Sequence, residues 1–292
     1  MQPDEHTFTA SAGTDLPMRV WSPSKKVPGT FSEKPAALVY LHGIQSHSGW
    51  YEVSSRRLAE AGVAVYQIER RGSGRDTDHE RGHVDRAETW MEDVGAAAER
   101  ARDETGVERV HLMGVSWGGK LALACAAHRP DLYRSLILSA PGIIPVVDVA
   151  LLVKVRVAKC LATGRERERF RIPLDDPHLF TENPKRVRTI ADDDLSLRDL
   201  TARFMYESRR LDRMARAAAG TVHVPTLLLL AEHDRIIDNK ATRSLIYSMT
   251  ARKRVITYAG AHHTLEFEPD TEPYFADLVA WIDQVEREAR NV

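Results

Sequence analysis

The chain has 292 residues, 43% of them hydrophobic, with 41 Lys and Arg set against 42 Asp and Glu. A net charge of −1 gives no general attraction to nucleic acid or to an acidic membrane, and the hydrophobic share excludes a disordered chain. Two cysteines, Cys125 and Cys160, exclude a disulfide framework, and no apolar stretch is long enough to span a bilayer.

Met1 to Thr14 is polar and acidic and lacks an apolar signal region, so a cytoplasmic protein is expected. Edge strands are expected over 7–10 and 17–21, as an antiparallel start. An apolar run over 36–41 follows and opens into His42-Gly43. Next come a helix over 52–61 and a strand over 63–68. Arg70-Arg71-Gly72-Ser73-Gly74-Arg75 lacks the lysine spacing of a phosphate-binding loop and reads as the turn after that strand. Arg75 and Arg81 are noted as residues that could touch a substrate.

A helix over 87–103 leads to a strand over 109–113 and to Gly114-Val115-Ser116-Trp117-Gly118-Gly119. Gly-x-Ser-x-Gly between an apolar strand and an Ala/Leu-rich helix is the context of a nucleophile elbow. The serine sits on a turn so tight that its backbone is strained, and the flanking glycines let strand and helix approach closely. The helix runs to His128, where Arg129-Pro130 ends it, and Cys125 within it reads as core. A further strand is expected over 135–139.

The gap from 141 to 224 is too long for a simple strand-to-helix loop. It carries helix-like segments over 147–161 and 197–219 and reads as a cap over the catalytic edge. The stretch from Val146 to Ala158 is apolar on more than one face, which fits either a pocket cover or a buried helix. Arg165-Glu166-Arg167-Glu168-Arg169 alternates in sign and reads as a solvated helical face.

A serine hydroxyl needs a base, and the base needs an orienting carboxylate. The strand expected over 226–231 has Asp234 just past its carboxyl end. Glu232 is nearer the strand and can point away, and Asp238 reads as the cap of a helix starting near Lys240. After the last strand, over 254–258, the loop Ala259-Gly260-Ala261-His262-His263-Thr264 supplies the base. The residues alone do not choose between His262 and His263. Acyl transfer also needs donors for an oxyanion: one is the amide of Trp117, and a second comes from the loop that opens His42-Gly43.

From about Met18 to Trp281 the chain resembles the α/β-hydrolases of the monoacylglycerol lipase and lysophospholipase group, also called serine aminopeptidase-like hydrolases. The resemblance rests on Leu41-His42-Gly43 with His47-Ser48-Gly49 and Tyr51, on Arg71-Gly72-Ser73-Gly74, on the elbow, on 227–234, and on Tyr258-Ala259-Gly260-Ala261-His262-His263. The family's Tyr-x-Gly-x-x-His falls on His263. The resemblance therefore implies a triad of Ser116, Asp234 and His263, with Ile44 as the second oxyanion donor. It departs at Gln45-Ser46-His47, where the family has Gly-Glu-His, and at Trp50, where arginine is common. His42, Gly43, Gln45 and Ser46 are the candidate substrate-pocket residues.

The expected architecture is an α/β fold: a mostly parallel central sheet with helices on both faces, a core of 1–140 and 225–292, and a helical cap over 141–224. The expected function is a serine hydrolase cleaving a monoacyl carboxylic ester of monoacylglycerol or lysophospholipid type, with no cofactor and no metal. A thioesterase, an acyltransferase or a peptidase would use the same triad, and a non-catalytic binding member of the fold is the remaining alternative. The expected partner is a small acyl ester, not nucleic acid. Resemblance to lipases adds a weak membrane-surface contact through the cap, although Lys154, Arg156 and Lys159 read equally well as solvated surface.

Overall fold

The computed structural model describes residues 1–23 and 36–291. Two strands open the chain, β1 (Asp4–Thr9) and β2 (Asp15–Trp21), paired antiparallel. Then come β3 (Ala36–Leu41), β4 (Val63–Ile68), β5 (Val110–Val115) and β6 (Tyr133–Ser139). A short antiparallel ribbon, β7 (Arg169–Arg171) with β8 (Asp199–Thr201), stands outside the main sheet, to which β9 (Thr226–Ala231) and β10 (Lys253–Tyr258) return. Among the described residues the main sheet runs β1-β2-β4-β3-β5-β6-β9-β10, parallel from β4 onward.

The central strands β3, β4, β5 and β9 are buried at every position, which is why they read as largely apolar runs, broken only by Gln67, His111 and Thr226, rather than as alternating ones. At the edge, β10 places Arg254 and Thr257 in solvent, charge and polarity that discourage edge-to-edge pairing. Parallel neighbours force each connection back across a face of the sheet. The helices that do this are α1 (Glu52–Glu60), α2 (Ala87–Thr105) and α3 (Trp117–His128). After β6 come α4 (Leu151–Ala162), α5 (Pro184–Ala191) and α6 (Ala202–Ala218), and after β9 come α7 (Asn239–Tyr247) and α8 (Glu272–Arg290). Helix α1 packs on α8, whereas α2, α3 and α6 pack on one another. Because β6 and β9 are adjacent and parallel, the chain must travel back to the starting edge of the sheet, and α6 provides roughly 26 Å of that return.

The stretch between β6 and β9 differs in detail from the expectation. Val146 and Val147 donate their N–H groups to the Ile236 carbonyl, so this β-branched segment is tied to the loop after β9 and α4 begins only at Leu151. The segment from Arg165 is solvated but not helical: it turns into β7, with Arg167 and Arg169 paired to Glu80 and Glu166 to Arg203. The helix expected from 197 starts at Ala202, because Asp199–Thr201 is spent on the ribbon and the Thr201 hydroxyl caps the Phe204 N–H. Two helices lie outside the sequence expectation: α5, announced by Asn183 and Pro184 as cap and first residue, and α8. In α8, Tyr274, Leu278, Trp281, Ile282 and Val285 bury one helical face.

Close approach is strictest at the elbow. A side chain on Gly118 would place its Cβ 2.6 Å from the carbonyl oxygens of both Leu41 and His42, and one on Gly114 would lie 2.3 Å from the Gly118 oxygen. Each of these neighbours is backbone and cannot swing away. Gly118→Ala should therefore destabilise the fold by about 3 kcal/mol or more, as severe overpacking does. Chemical denaturation of the variant reads this directly; a loss under 1 kcal/mol would mean that β3 and α3 can separate at little cost.

Candidate active site

The carboxyl edge of the parallel strands collects the polar groups. Ser116 follows β5 directly, Asp234 lies three residues beyond β9, His263 five beyond β10, and Ile44 three beyond β3. Ser116 has φ 51° and ψ −121°, a conformation that a residue with a side chain adopts only under constraint. Its N–H donates to the Ser139 carbonyl at 3.0 Å, and its carbonyl accepts from Gly142 at 2.7 Å and Gly119 at 2.9 Å. These bonds hold the turn from both sides.

His263 Nε2 lies 2.9 Å from Ser116 Oγ and its Nδ1 lies 2.8 Å from Asp234 Oδ2. The other Asp234 oxygen accepts the N–H groups of Ile236 at 2.8 Å and Ile237 at 3.1 Å. A carboxylate so held accepts the Nδ1 proton, which leaves Nε2 free to accept from the serine hydroxyl. His262 is not part of this chain of bonds; it faces Glu268 at 3.4 Å. Glu232 is exposed and binds the Gly260 N–H, and Asp238 caps α7 through the Ala241 N–H.

Beside Ser116 lies a cavity of about 820 Å³, walled mainly by apolar side chains from the β6–β9 connection together with Ile44 and Trp117. Its size falls in the range of small-molecule sites. Helix α4 turns Val157 and Leu161 to the cavity and leaves Leu151 (74%) and Leu152 (78%) in solvent, so both apolar faces read from the sequence are accounted for. Among the described residues the N–H groups of Ile44 and Trp117 have no protein acceptor. Trp117 also begins α3, so its N–H lies at the positive end of a helix.

Of the four pocket candidates in the loop after β3, none lines this cavity; the loop contributes Ile44 alone. His42, Gly43 and Ser46 are spent on shaping the loop. The Gly43 carbonyl accepts from His42 Nδ1 at 2.8 Å and Arg70 Nη1 at 2.9 Å, and the Gly43 N–H donates to Ser46 Oγ at 2.8 Å. A trans peptide points its N–H opposite to its C=O, so anchoring the Gly43 carbonyl turns the Ile44 N–H the other way. Arg70 Nη2 also holds the Ile44 carbonyl at 2.8 Å, and the Arg70 guanidinium stacks 4.7 Å over the Trp117 ring. Burial lowers the His42 imidazole well below its usual value, helped by Arg70, so it stays neutral and accepts the Arg70 N–H at Nε2. Arg75 and Arg81 contact no wall of the cavity; they bind Ser48 and the carbonyls of Gly74 and Leu195.

Two of the positions that depart from the family pattern, Gln45 and Trp50, dock the connection onto the core. Asp193, between α5 and β8, accepts from Trp50 Nε1 at 2.6 Å, His47 Nε2 at 3.1 Å and Ser196 Oγ at 2.9 Å, and the Gln45 carbonyl accepts the Leu197 N–H. The Gln45 side-chain amide is buried with no partner among the described residues. Burial would raise the Asp193 carboxyl, but the bonds from His47 and Trp50 overcome it and hold the group well below its ordinary value. Three residues beyond His263, burial raises the Glu266 carboxyl to about 7 against the opposing Ser54 N–H and hydroxyl.

Sequence reasoning missed the polar group on the cavity wall, Lys120 of α3 with Ser208 and Asp212 of α6. The signal was present: Lys120 is the one charged residue in the otherwise buried stretch from Trp117 to Ala126. Burial lowers its ammonium from the ordinary value and Asp212 pushes it back.

A mostly parallel sheet flanked by helices, with a serine, a histidine and a carboxylate meeting at its carboxyl edge, defines an α/β-hydrolase. Residues 32–270 match the family model described as serine aminopeptidase, S33 (Hydrolase_4), and the chain belongs to that family of serine hydrolases. It is 27% identical to the monoacylglycerol lipase of Mycolicibacterium smegmatis over 95% of this chain and 96% of that one. It is also 27% identical to the monoglyceride lipase of Homo sapiens, covering 93% and 88%. The crystal structure of the Paleococcus ferrophilus monoacylglycerol lipase superposes with a TM-score of 0.79 over 93% of this chain and 100% of that one, at 24% identity, a likeness of fold. Among the described residues, no helix is long and apolar enough to cross a membrane.

Asp193→Asn should weaken the fold at pH 7 by about 1.5–3 kcal/mol, the range for hydrogen bonds to a charged group. A carboxyl whose folded value is depressed contributes stability above its unfolded value near 3.9 and loses it as pH falls toward the folded one. Urea unfolding of wild type and variant should thus converge as pH drops from about 5 to 2. A gap that stays constant with pH would show that Asp193 contributes shape rather than charge.

Proposed function

We propose that the protein hydrolyses carboxylic esters of a single acyl chain, of monoacylglycerol or lysophospholipid type, through a covalent acyl-enzyme on Ser116. The observation that carries this is the unbroken relay from Ser116 to His263 to Asp234, at 2.9 and 2.8 Å, opening on an apolar cavity of about 820 Å³. Ser116 Oγ attacks the acyl carbonyl carbon as His263 Nε2 takes its proton. The oxyanion accepts the N–H groups of Ile44 and Trp117, on the order of 3 kcal/mol for each donor. Collapse expels the alcohol, which receives the proton from His263. Water then repeats the attack on the acyl-enzyme with His263 as base and releases the acid. Asp234 orients the imidazole and stabilises its charged form throughout. The bonds and protons balance with these groups alone.

In this reading 141–224 is a cap that walls the acyl site, with α6 as its return leg to the core of 1–140 and 225–292. The names of the two curated relatives favour monoacylglycerols. Leu151, Leu152 and Val155 stand exposed beside Lys154, Arg156 and Lys159 on α4. That face suits a weak contact with the lipid surface from which a cytoplasmic enzyme would draw such a substrate.

A fluorophosphonate probe should label wild type and not Ser116→Ala. His263→Ala and Asp234→Asn should each lower kcat by roughly 10³-fold or more, while His262→Ala costs less than about tenfold. Labelling that survives in Ser116→Ala would name another nucleophile.

Across p-nitrophenyl esters, kcat/KM should rise by up to roughly fourfold per added methylene until the cavity is filled, since each buried CH₂ contributes about 0.8 kcal/mol. A flat series, or a peak at acetate, would remove the acyl chain from this cavity.

A further inference from the structure

Within the apolar cavity one group of polar atoms is built with a proton to spare. Lys120 lies one helical turn beyond Ser116 on α3, and Ser208 and Asp212 lie one turn apart on the facing side of α6. All three line the cavity and all three are buried. Ser208 Oγ stands 2.9 Å from Trp117 Nε1 and 3.0 Å from Lys120 Nζ. An indole N–H and an ammonium can only donate, so Ser208 must accept from both, and these two bonds occupy both lone pairs of its oxygen. The hydroxyl proton is then left over. Among the described residues it has no acceptor: Lys120 pairs with Asp212, and the Ser208 side chain returns no bond to the carbonyl one turn back in its own helix. Two donors on one oxygen, one of them charged, also polarise the remaining O–H and make it a stronger donor.

A buried hydroxyl proton without an acceptor is costly, and the other charged residues on the cavity wall are already engaged, Lys154 and Arg209 with Asp148 and Arg203 with Glu166, so a ligand entering between the apolar side chains is what can supply one. We infer that Ser208 is a specificity-determining residue, donating a hydrogen bond to an oxygen carried within the acyl chain, so that the preferred substrates are esters of oxo- or hydroxyacyl acids rather than of plain alkanoic acids. This rests on the reading that the acyl group occupies the cavity beside Ser116. Lys120 and Trp117 act as positioning residues: they fix the serine rotamer and direct its proton into the cavity. Lys120 and Arg209 both pair with Asp212, so the charges nearest Ser208 are engaged within the wall, and what the subsite offers a ligand is the Ser208 proton, which seeks an acceptor oxygen.

The experiment compares kcat/KM for p-nitrophenyl decanoate with its oxo- and hydroxy-substituted positional isomers, in wild type, Ser208→Ala and Ser208→Cys. Wild type should favour at least one oxygenated isomer over decanoate by roughly three- to tenfold, the worth of one neutral hydrogen bond. Both variants should bring that ratio to about one while still turning over decanoate. The thiol keeps the side chain's bulk but donates poorly, so Ser208→Cys carries the test if Ser208→Ala does not fold. If Ser208 only supported Trp117, every ester would slow alike and the ratio would not move, which overturns the inference. Wild-type preference for decanoate over every isomer overturns it as well. Absence of turnover with all of these esters would sink the ester-hydrolase reading itself, and this inference with it.

Discussion

Holding Ser116 at φ 51° costs roughly 1–3 kcal/mol for a residue that bears a side chain, and that conformation persists only while its surroundings over-determine it. The surroundings here are backbone: the Ser139 carbonyl on one side, the Gly142 and Gly119 amides on the other, and an elbow helix pressed onto the end of β3 with no room for a Cβ at Gly118. Parallel pairing of β5 with both β3 and β6 fixes the edge at which the turn occurs. The position of the Ser116 backbone thus depends on the sheet and not on flexible side chains. Ala140, also at positive φ (40°) and wholly buried, shows that the strain extends to the neighbouring strand end.

The other side of Ser116 is organised by a different kind of constraint. The loop after β3 is irregular, and its shape comes from polar groups that converge on two successive carbonyls. Arg70 spans both, and His42, kept neutral by burial, binds one of them while receiving the Arg70 backbone amide. The guanidinium simultaneously covers the Trp117 ring. The Ile44 carbonyl and the Trp117 ring are therefore held by one buried cation.

Much of this was legible because parallel buried strands and the elbow carry their own chemistry. The runs at 36–41, 63–68 and 226–231 are apolar but for Gln67 and Thr226, and their expected bounds are the observed ones. The elbow's glycines announce a close approach, and chain order singles out the acid after β9. What the residues could not decide was the histidine: both His262 and His263 lie in the right loop, and only the resemblance separated them. The connection between β6 and β9 was least legible. Ribbon β7–β8 has three residues per strand, too few for alternation to register, and its pairing joins positions thirty residues apart. The departures at Gln45 and Trp50 are visible, yet their consequence depends on Leu197 and Asp193, far away in sequence.

Helix α6 serves two layers at once. It packs on α2 and α3 as the return between parallel strands, and through Ser208, Asp212 and Met205 it also walls the cavity. Helix α4 buries only Val157 and Cys160 and leaves the rest of its surface accessible. In evolutionary terms the two walls are unequal. Mutations on α4 can reshape the pocket at little cost to folding and so accumulate freely as lineages diverge. Mutations on the inner face of α6 are screened first for whether the chain still folds. A family built this way should diversify in its substrates along one wall of the cavity while the other records ancestry.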